Sequence, residues 1–253
     1  MDYKITYDGS KTLFSSKYNQ TFHSLQDGAL SESLYKHIIP ALSIFEYSEE
    51  LHILDICFGL GYNTFGTIYY VLKNKLPIKL TFYSPEFDLE LIQSLEFFEY
   101  PPEFEKLKKI IFEVSKNYYY KDEQFEINLY IGDAREYIKT LDKIDIVFQD
   151  AFSSEVNKEL WTKEYFCQIA RLGNQKSIIT TYSIATPVRL SMYENGFHIY
   201  EYHSSTKKRS TIASNFELDF SKLKILVDKI DMEKKKINNP NASPLYDERL
   251  FIS

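Results

Sequence analysis

Residues 2–7 alternate, with Tyr3, Ile5 and Tyr7 on one side, and meet Asp8-Gly9 before Lys11 to Ser15. Alternation closed by a turn that carries glycine predicts a small hairpin. Leu30, Leu34, Ile38, Leu42 and Phe45 then recur at helical spacing. They predict a helix over 29–45, with Ser31 as N-cap and Pro40 bending or splitting it. From residue 51 the pattern changes to short apolar runs separated by helical stretches. Leu51 to Cys57 predicts a strand that ends in Phe58-Gly59-Leu60-Gly61, and Asn63 to Lys73 a helix. Ile78 to Tyr83, Ile127 to Ile131, Ile144 to Phe148 and Ser177 to Tyr182 predict four further strands. Helices are predicted over 88–98, 134–141, 158–172 (stopped by Gly173) and 186–195 (stopped by Gly196), and residues 101–125 read as a mixed connection with one helix. Phe197 to Tyr202 and Arg209 to Ala213 are two more strands.

Strand–helix alternation of this kind indicates an α/β fold with a mostly parallel sheet. The last two strands have no room for a crossover helix, so they should pair antiparallel. Three regions are expected: an N-terminal hairpin and helix over 1–50, an α/β core over 51–215, and a peripheral helix and tail over 216–253 that is lysine-rich and partly mobile. The 253 residues are 44% hydrophobic and 26% charged, a globular composition that excludes wholesale disorder. The formal net charge of −6 argues against a protein that coats DNA. The two cysteines, Cys57 and Cys167, cannot form a disulfide framework and match no zinc spacing. The five histidines show no paired spacing, so no metal is expected. No apolar run approaches membrane-spanning length, and the N-terminus has acidic residues without an apolar segment behind them. These features predict a soluble cytoplasmic protein that needs no membrane.

In an open parallel sheet, ligands bind beyond the carboxyl ends of the strands. The residues there are Asp55 to Gly61, Glu86, Asp133 and Asp150, an acid at the end of each of four successive strands. Gly59 and Gly61 let the backbone turn tightly after the first strand and approach a ligand. A dinucleotide fingerprint would need a third glycine at 64, which is Thr64. The acid at 55 instead fits the nucleoside-binding loop of class I methyltransferases, whose sheet is mostly parallel with a terminal antiparallel strand. There the carboxylate helps to order the loop and faces a cationic ligand. Glu86 can accept both hydroxyls of a ribose, with Asp88 close enough to do so instead. Asp133 can accept an exocyclic amino proton from adenine, or cap the helix near 134, or both. The plainer reading of each acid is a solvated strand end or a cap.

Phe148-Gln149-Asp150-Ala151-Phe152-Ser153, followed by Asn157-Lys158-Glu159-Leu160-Trp161-Thr162, resembles the methyltransferase domain of the MnmC family, the tRNA 5-methylaminomethyl-2-thiouridine biosynthesis proteins. Phe22-His23-Ser24 with Gly28 and Glu32, the loop Phe58-Gly59-Leu60-Gly61-Tyr62-Asn63, and Lys207-Lys208-Arg209 match the family in order, and the resemblance covers roughly residues 20 to 214. Cys57 stands where the family usually has the first loop glycine. Ala151 replaces the motif glycine, and Ser154 and Lys158 stand where prolines are usual.

The resemblance implies a Rossmann-like class I fold and S-adenosyl-L-methionine as cofactor, with a tRNA wobble uridine as substrate. The implied reaction is N-methylation of its 5-aminomethyl group. Asp55, Phe58, Gly59, Leu60, Gly61, Asn63, Glu86, Asp133 and Ala134 are the expected cofactor-binding residues. Asp150 is the expected catalytic residue: it orients the amine and accepts its proton, its pKa raised by Phe152, Trp161 and Tyr182. Phe152 and Tyr182 are expected to stack on the uracil, and Lys207, Lys208 and Arg209 to hold phosphates, against the alternative of a solvated hairpin end. His23 is a site candidate by resemblance only. Trp161 and Phe166 read as core. No FAD oxidase half is expected after residue 214, as in the stand-alone members known as MnmD. The alternatives are a small-molecule methyltransferase or aminopropyltransferase, and a nucleotide-binding module without catalysis.

Overall fold

A computed structural model describes residues 3–206 and 208–247 of the chain. Strand β1 (Tyr3–Ile5) pairs antiparallel with β2 (Lys11–Ser15), and a two-residue β3 (Gln20–Thr21) widens the hairpin to three strands. The turn residue Asp8 does more than reverse the chain. Its Oδ1 accepts hydrogen bonds from Thr6 and Ser10, and its Oδ2 accepts the Ser31 backbone N–H at 2.8 Å. The helix therefore starts at Ala29, its first turn capped from the hairpin, and Ser31 lies inside it rather than at its cap. Gly28 makes this possible: its φ is 90°, and a Cβ there would fall 2.2 Å from Asp8 Cγ.

Pro40 divides the helix, as expected, through a wide turn placed ahead of it. Helices α1 (Ala29–Ser33) and α2 (Ile39–Ile44) are joined by a wide turn over Leu34–Ile38, where the Ile39 N–H bonds to Leu34 O. Proline lacks an N–H for the carbonyl of residue 36 and its ring crowds that carbonyl; one five-residue turn ahead of it relieves both.

The main sheet has nine strands in the order β12-β10-β11-β9-β8-β4-β5-β7-β6. Five of them run parallel: β4 (Glu50–Ile56), β5 (Lys79–Glu86), β7 (Phe125–Ile131), β8 (Ile144–Gln149) and β9 (Gly173–Thr181). The short β6 (Tyr119–Lys121) lies antiparallel on one edge. On the other side β11 (Arg209–Ser214) runs antiparallel to β9, followed by β10 (His198–His203) and β12 (Leu226–Lys229). Strand β12 corrects the reading of 216–253 as helix and tail; among the described residues of that stretch only α9 (Met232–Asn238) is helical. Of the β12 residues only Val227 is buried, so alternation gave no signal. Lys158–Leu160 form a single tight turn, and Thr162 then caps α7 (Lys163–Leu172) with its side chain. Trp161 sits between these two elements rather than on a helical stripe.

Side chains alternate across the sheet and divide the core in two. Leu51, Ile53, Ile146, Phe148 and Ile178 face α1, α2, α3 (Tyr62–Asn74) and α5 (Lys108–Asn117). Leu54, Ile56, Val147 and Ile179 face α6 (Ala134–Tyr137), α7 and α8 (Thr186–Tyr193), with the fully buried Trp161 among them. The same period decides where the polar residues at the strand ends point. Asp55, Asp150 and Thr180 continue the first set, so they turn toward the side of α3 and of the wide turn.

Candidate functional site

A cavity of about 870 Å³ opens beyond the carboxyl ends of β4, β5, β7 and β8. Its floor is the loop after β4, where Cys57, Gly59 and Gly61 all have positive φ, at 61°, 56° and 71°. A Cβ on Gly59 would stand 3.1 Å from the Phe22 ring, and one on Gly61 would stand 2.5 Å from the Phe65 ring. The loop is stapled to the end of β5 by Glu86. Its Oε2 accepts the Gly59 N–H at 2.8 Å, and its Oε1 accepts those of Phe87 and Asp88 at 2.7 and 2.9 Å. Burial raises the Glu86 carboxyl above its ordinary value, against these three donors. Asp88 caps α4 (Leu89–Ser94) through the Leu91 N–H.

Three of the four strand-end acids share this cavity: Glu86, Asp133 and Asp150 line it with Phe58, Gly59, Leu60, Asn63 and Ala134. Asp55 and Gly61 are not part of the lining. The Asp55 side chain lies fully buried behind the loop, where its Oδ2 accepts the Thr64 hydroxyl at 2.7 Å and Asn63 Nδ2 lies 3.4 Å from its Oδ1. These hydrogen bonds tie it to the start of α3. Burial lifts its pKa from 3.8 to about 7. Asp133 caps α6 through the Arg135 N–H and is gripped by the Arg135 guanidinium at 2.6 and 3.1 Å.

Asp150 lies between an amide and an imidazole. Asn63 Nδ2 donates to its Oδ2 at 2.9 Å, and His37 Nε2 lies 3.4 Å from its Oδ1. Burial pushes this carboxyl up, but His37, His23 and Asn63 outweigh it and hold the pKa below the usual carboxylate range. That reverses the expectation that neighbouring rings raise it. The loop behind it is pinned twice: Trp161 Nε1 donates to Phe152 O at 2.8 Å, and the Tyr182 hydroxyl to Ala151 O at 3.0 Å.

The N-terminal sheet forms the opposite wall. Tyr18 and Phe22 pack on Phe152 with ring centroids 4.6 and 5.1 Å apart, and Gln20 Nε2 donates to Ser153 Oγ at 3.0 Å. His23 lines the cavity with Nδ1 3.1 Å from Thr12 Oγ1, and burial lowers its pKa. Lys36 also lines it, paired with Asp27 at 2.8 Å and Glu32 at 2.7 Å. Phe152 and Tyr182 belong to the lining; Lys208 and Arg209 do not. Lys208 pairs with Asp27 at 2.8 Å, and Arg209 with Glu201 at 3.3 Å. Lys207 lies outside the described residues.

Sequence reasoning missed His37, Lys36, Tyr18 and Phe22 as parts of the site. His37 stands on the buried side of an amphipathic helix, and only its place in the turn before Pro40 could have singled it out. Among the described residues no group of three or more His, Cys, Asp or Glu could hold a metal ion, and no helix is long and apolar enough to cross a membrane.

Residues 102–217 match the model of a family described as S-adenosyl-L-methionine-dependent methyltransferase. A crystal structure of MnmC2 from Aquifex aeolicus superposes with a TM-score of 0.81 at 29% identity, covering 100% of this chain and 80% of that one. The chain is an S-adenosylmethionine-dependent methyltransferase, similar to those of the MnmC type. An uncharacterized protein of Methanocaldococcus jannaschii is 32% identical over 209 residues, which are 81% of the methyltransferase chain and 56% of the relative. The bifunctional tRNA 5-methylaminomethyl-2-thiouridine biosynthesis protein MnmC of Campylobacter fetus is 23% identical over 84% of this chain and 36% of its own length. The methyltransferase therefore spans little more than half of the first relative and about a third of the second. Its fold, five parallel strands extended by antiparallel ones, is that of the class I enzymes.

Proposed function

We propose that this methyltransferase N-methylates the primary amine of 5-aminomethyl(-2-thio)uridine at the tRNA wobble position. The observation that carries the reading is the Asp150 carboxylate, held by Asn63 and open to a cavity that also has the aromatic side chains of Phe152 and Tyr182 in its wall. The name of the Campylobacter relative supports the substrate class.

The residues present fit the cofactor. A cavity of about 870 Å³ lies within the ~300–1,000 Å³ usual for small-molecule sites. It joins loop backbone that carries no side chain at Gly59 to two acids, Glu86 and Asp133, that can accept hydroxyl and amino protons. Phe58, Gly59, Leu60, Asn63, Glu86, Asp133 and Ala134 hold the nucleoside in this reading, with Asp55 and Gly61 shaping the loop from behind. When bound, S-adenosylmethionine supplies a sulfonium methyl already activated for transfer.

What the protein must add is position and a proton acceptor. An alkylammonium has no lone pair to offer until a proton leaves it. Asp150, ionised at neutral pH, attracts the ammonium, orients it and takes that proton directly or through water. Phe152 and Tyr182 supply faces for the uracil. Lys207, Lys208 and Arg209 are the proposed phosphate contacts; Lys208 and Arg209 must then be shared with Asp27 and Glu201. A cytoplasmic setting, with no DNA partner, belongs to the same proposal.

The test is nucleoside analysis of tRNA from a strain that lacks the protein. Accumulated 5-aminomethyl nucleoside is the expected result, and an unchanged nucleoside profile removes the proposal.

A further inference from the structure

The His37 imidazole has no exposed surface, and it lies in the wide turn that Pro40 imposes on the N-terminal helix. Its ring stands edge-on to Phe148, with centroids 5.7 Å apart. Nδ1 is 2.9 Å from Thr180 Oγ1. Nε2 lies 3.4 Å from Asp150 Oδ1 and has no hydrogen-bond partner. A buried ring nitrogen facing a carboxylate oxygen is either bare or protonated. Bare, it sets one lone pair against another. Protonated, it directs an N–H at an anion. The second arrangement is the stable one, and it requires Nδ1 of the neutral ring to accept, which the Thr180 hydroxyl can satisfy. A shift of a few tenths of an ångström brings Nε2 within hydrogen-bond distance of Oδ1.

We propose that His37 is a positioning residue for Asp150: with Nδ1 held by the Thr180 hydroxyl, its Nε2–H fixes the rotation of the carboxylate that Asn63 holds from the other oxygen. This rests on Asp150 being the group that accepts the amine proton. Each carboxylate oxygen then has one protein donor and keeps a lone pair for the cavity. Two donors on two oxygens leave the carboxylate little freedom to turn, and a proton acceptor misplaced by 1 Å loses about 100-fold in rate. The wide turn gives this role a structural cause. A regular α-helix through 34–39 would rotate residue 37 relative to the sheet, so the irregularity sets the ring against both β8 and β9. The nearness of His37 also lowers the Asp150 pKa against burial. The other titratable groups facing Asp150 are His23, Asp55, Cys57 and Tyr182.

The tautomer is read by nitrogen-15 NMR of the full chain, labelled at histidine and assigned with His37→Gln. A proton on Nε2 of His37 is expected; a neutral ring protonated at Nδ1 overturns the proposal, whatever the substrate proves to be. Methyl transfer to tRNA bearing 5-aminomethyluridine is then followed against pH. His37→Met is expected to lower kcat about 10- to 100-fold and to move the acidic limb of the profile to higher pH, while cofactor affinity by calorimetry stays within about twofold. His37→Gln, whose amide can replace the Nε2 donor, is expected to recover most of the rate, and Thr180→Val to give a smaller loss with the same shift. An unmoved profile in His37→Met, or a loss that glutamine does not restore, overturns the positioning role. Should His37→Met not fold, Thr180→Val and the NMR experiment still decide it. Wild-type protein that binds cofactor but methylates no tRNA refutes the proposed function instead, and leaves the tautomer result to judge His37.

Discussion

Asn63 Nδ2 lies 2.9 Å from Asp150 and 3.4 Å from Asp55, yet the two carboxyls are displaced in opposite directions. Burial, with the Asp150 charge beside it, raises Asp55 against its Thr64 and Asn63 donors; at Asp150 the nearby His37 and His23 and the Asn63 amide outweigh burial and lower it. The pair therefore separates into a neutral or part-neutral loop anchor and an anion at the cavity wall. Asp150→Ala is expected to reduce turnover about 10²- to 10⁴-fold, with cofactor affinity by calorimetry changed only a few-fold. Full turnover in a folded variant would remove Asp150 from the chemistry. Gly59→Val should abolish cofactor binding, because φ at 59 is +56° and its Cβ would meet the Phe22 ring at 3.1 Å. Retained binding in a folded Gly59→Val protein contradicts the account of the loop. The acids and glycines of this site were legible in the sequence because their spacing after each apolar run placed them at strand ends. That the Asp55 side chain is buried and absent from the cavity lining was legible only once the side-chain period had been fixed by the sheet.

Helix α8 and the β10–β11 hairpin are joined by a buried cation. Arg189 is 1% exposed; its Nε donates to Thr211 at 2.9 Å and its Nη2 to Glu201 at 2.9 Å. Glu201 also receives Arg209, so one carboxylate ties the helix to both strands. Glu201→Leu leaves the guanidinium buried without a counter-charge. It should destabilise the fold by about 3 kcal/mol, read as a lower urea midpoint with an unchanged slope; a midpoint equal to that of the wild type would show that the ion pair does not hold the hairpin. Elements with strong periodicity, such as α3 and the parallel strands, could be read from sequence. The wide turn at 34–38 could not, since helical spacing on either side of Pro40 continues through it. Neither could β12, which has one buried side chain, nor the tight turn at 158–160, which continues the pattern of α7.

For the whole molecule, the stacking order of the sheet follows from alternation and crossover length, but the meeting of residue 37 with residues 150 and 180 depends on packing across more than a hundred positions. The same burial gives the protein a pH signature. The folded-state pKa of Asp55, about 7, lies above its ordinary 3.8. The folded protein then holds a proton that the unfolded chain releases, so this contribution is full below about pH 4 and is lost as pH rises through about 7. Asp150 acts in the other sense: its contribution is present above its ordinary value and is lost as pH falls through the lowered one. The stability of wild type relative to Asp55→Asn, from urea unfolding, should therefore be greater at pH 5 than at pH 8. An equal difference at both pH values would show that Asp55 is ionised in the fold.

Transfer of a labelled methyl group from S-adenosylmethionine to purified tRNA bearing 5-aminomethyluridine, followed by chromatography of the digested nucleosides, tests the central claim most directly. The account predicts that the wild-type protein yields the labelled 5-methylaminomethyl nucleoside and that the Asp150→Ala protein, still folded and binding cofactor, does not. Label absent from that nucleoside with the wild type, or present in equal amount with Asp150→Ala, would contradict it.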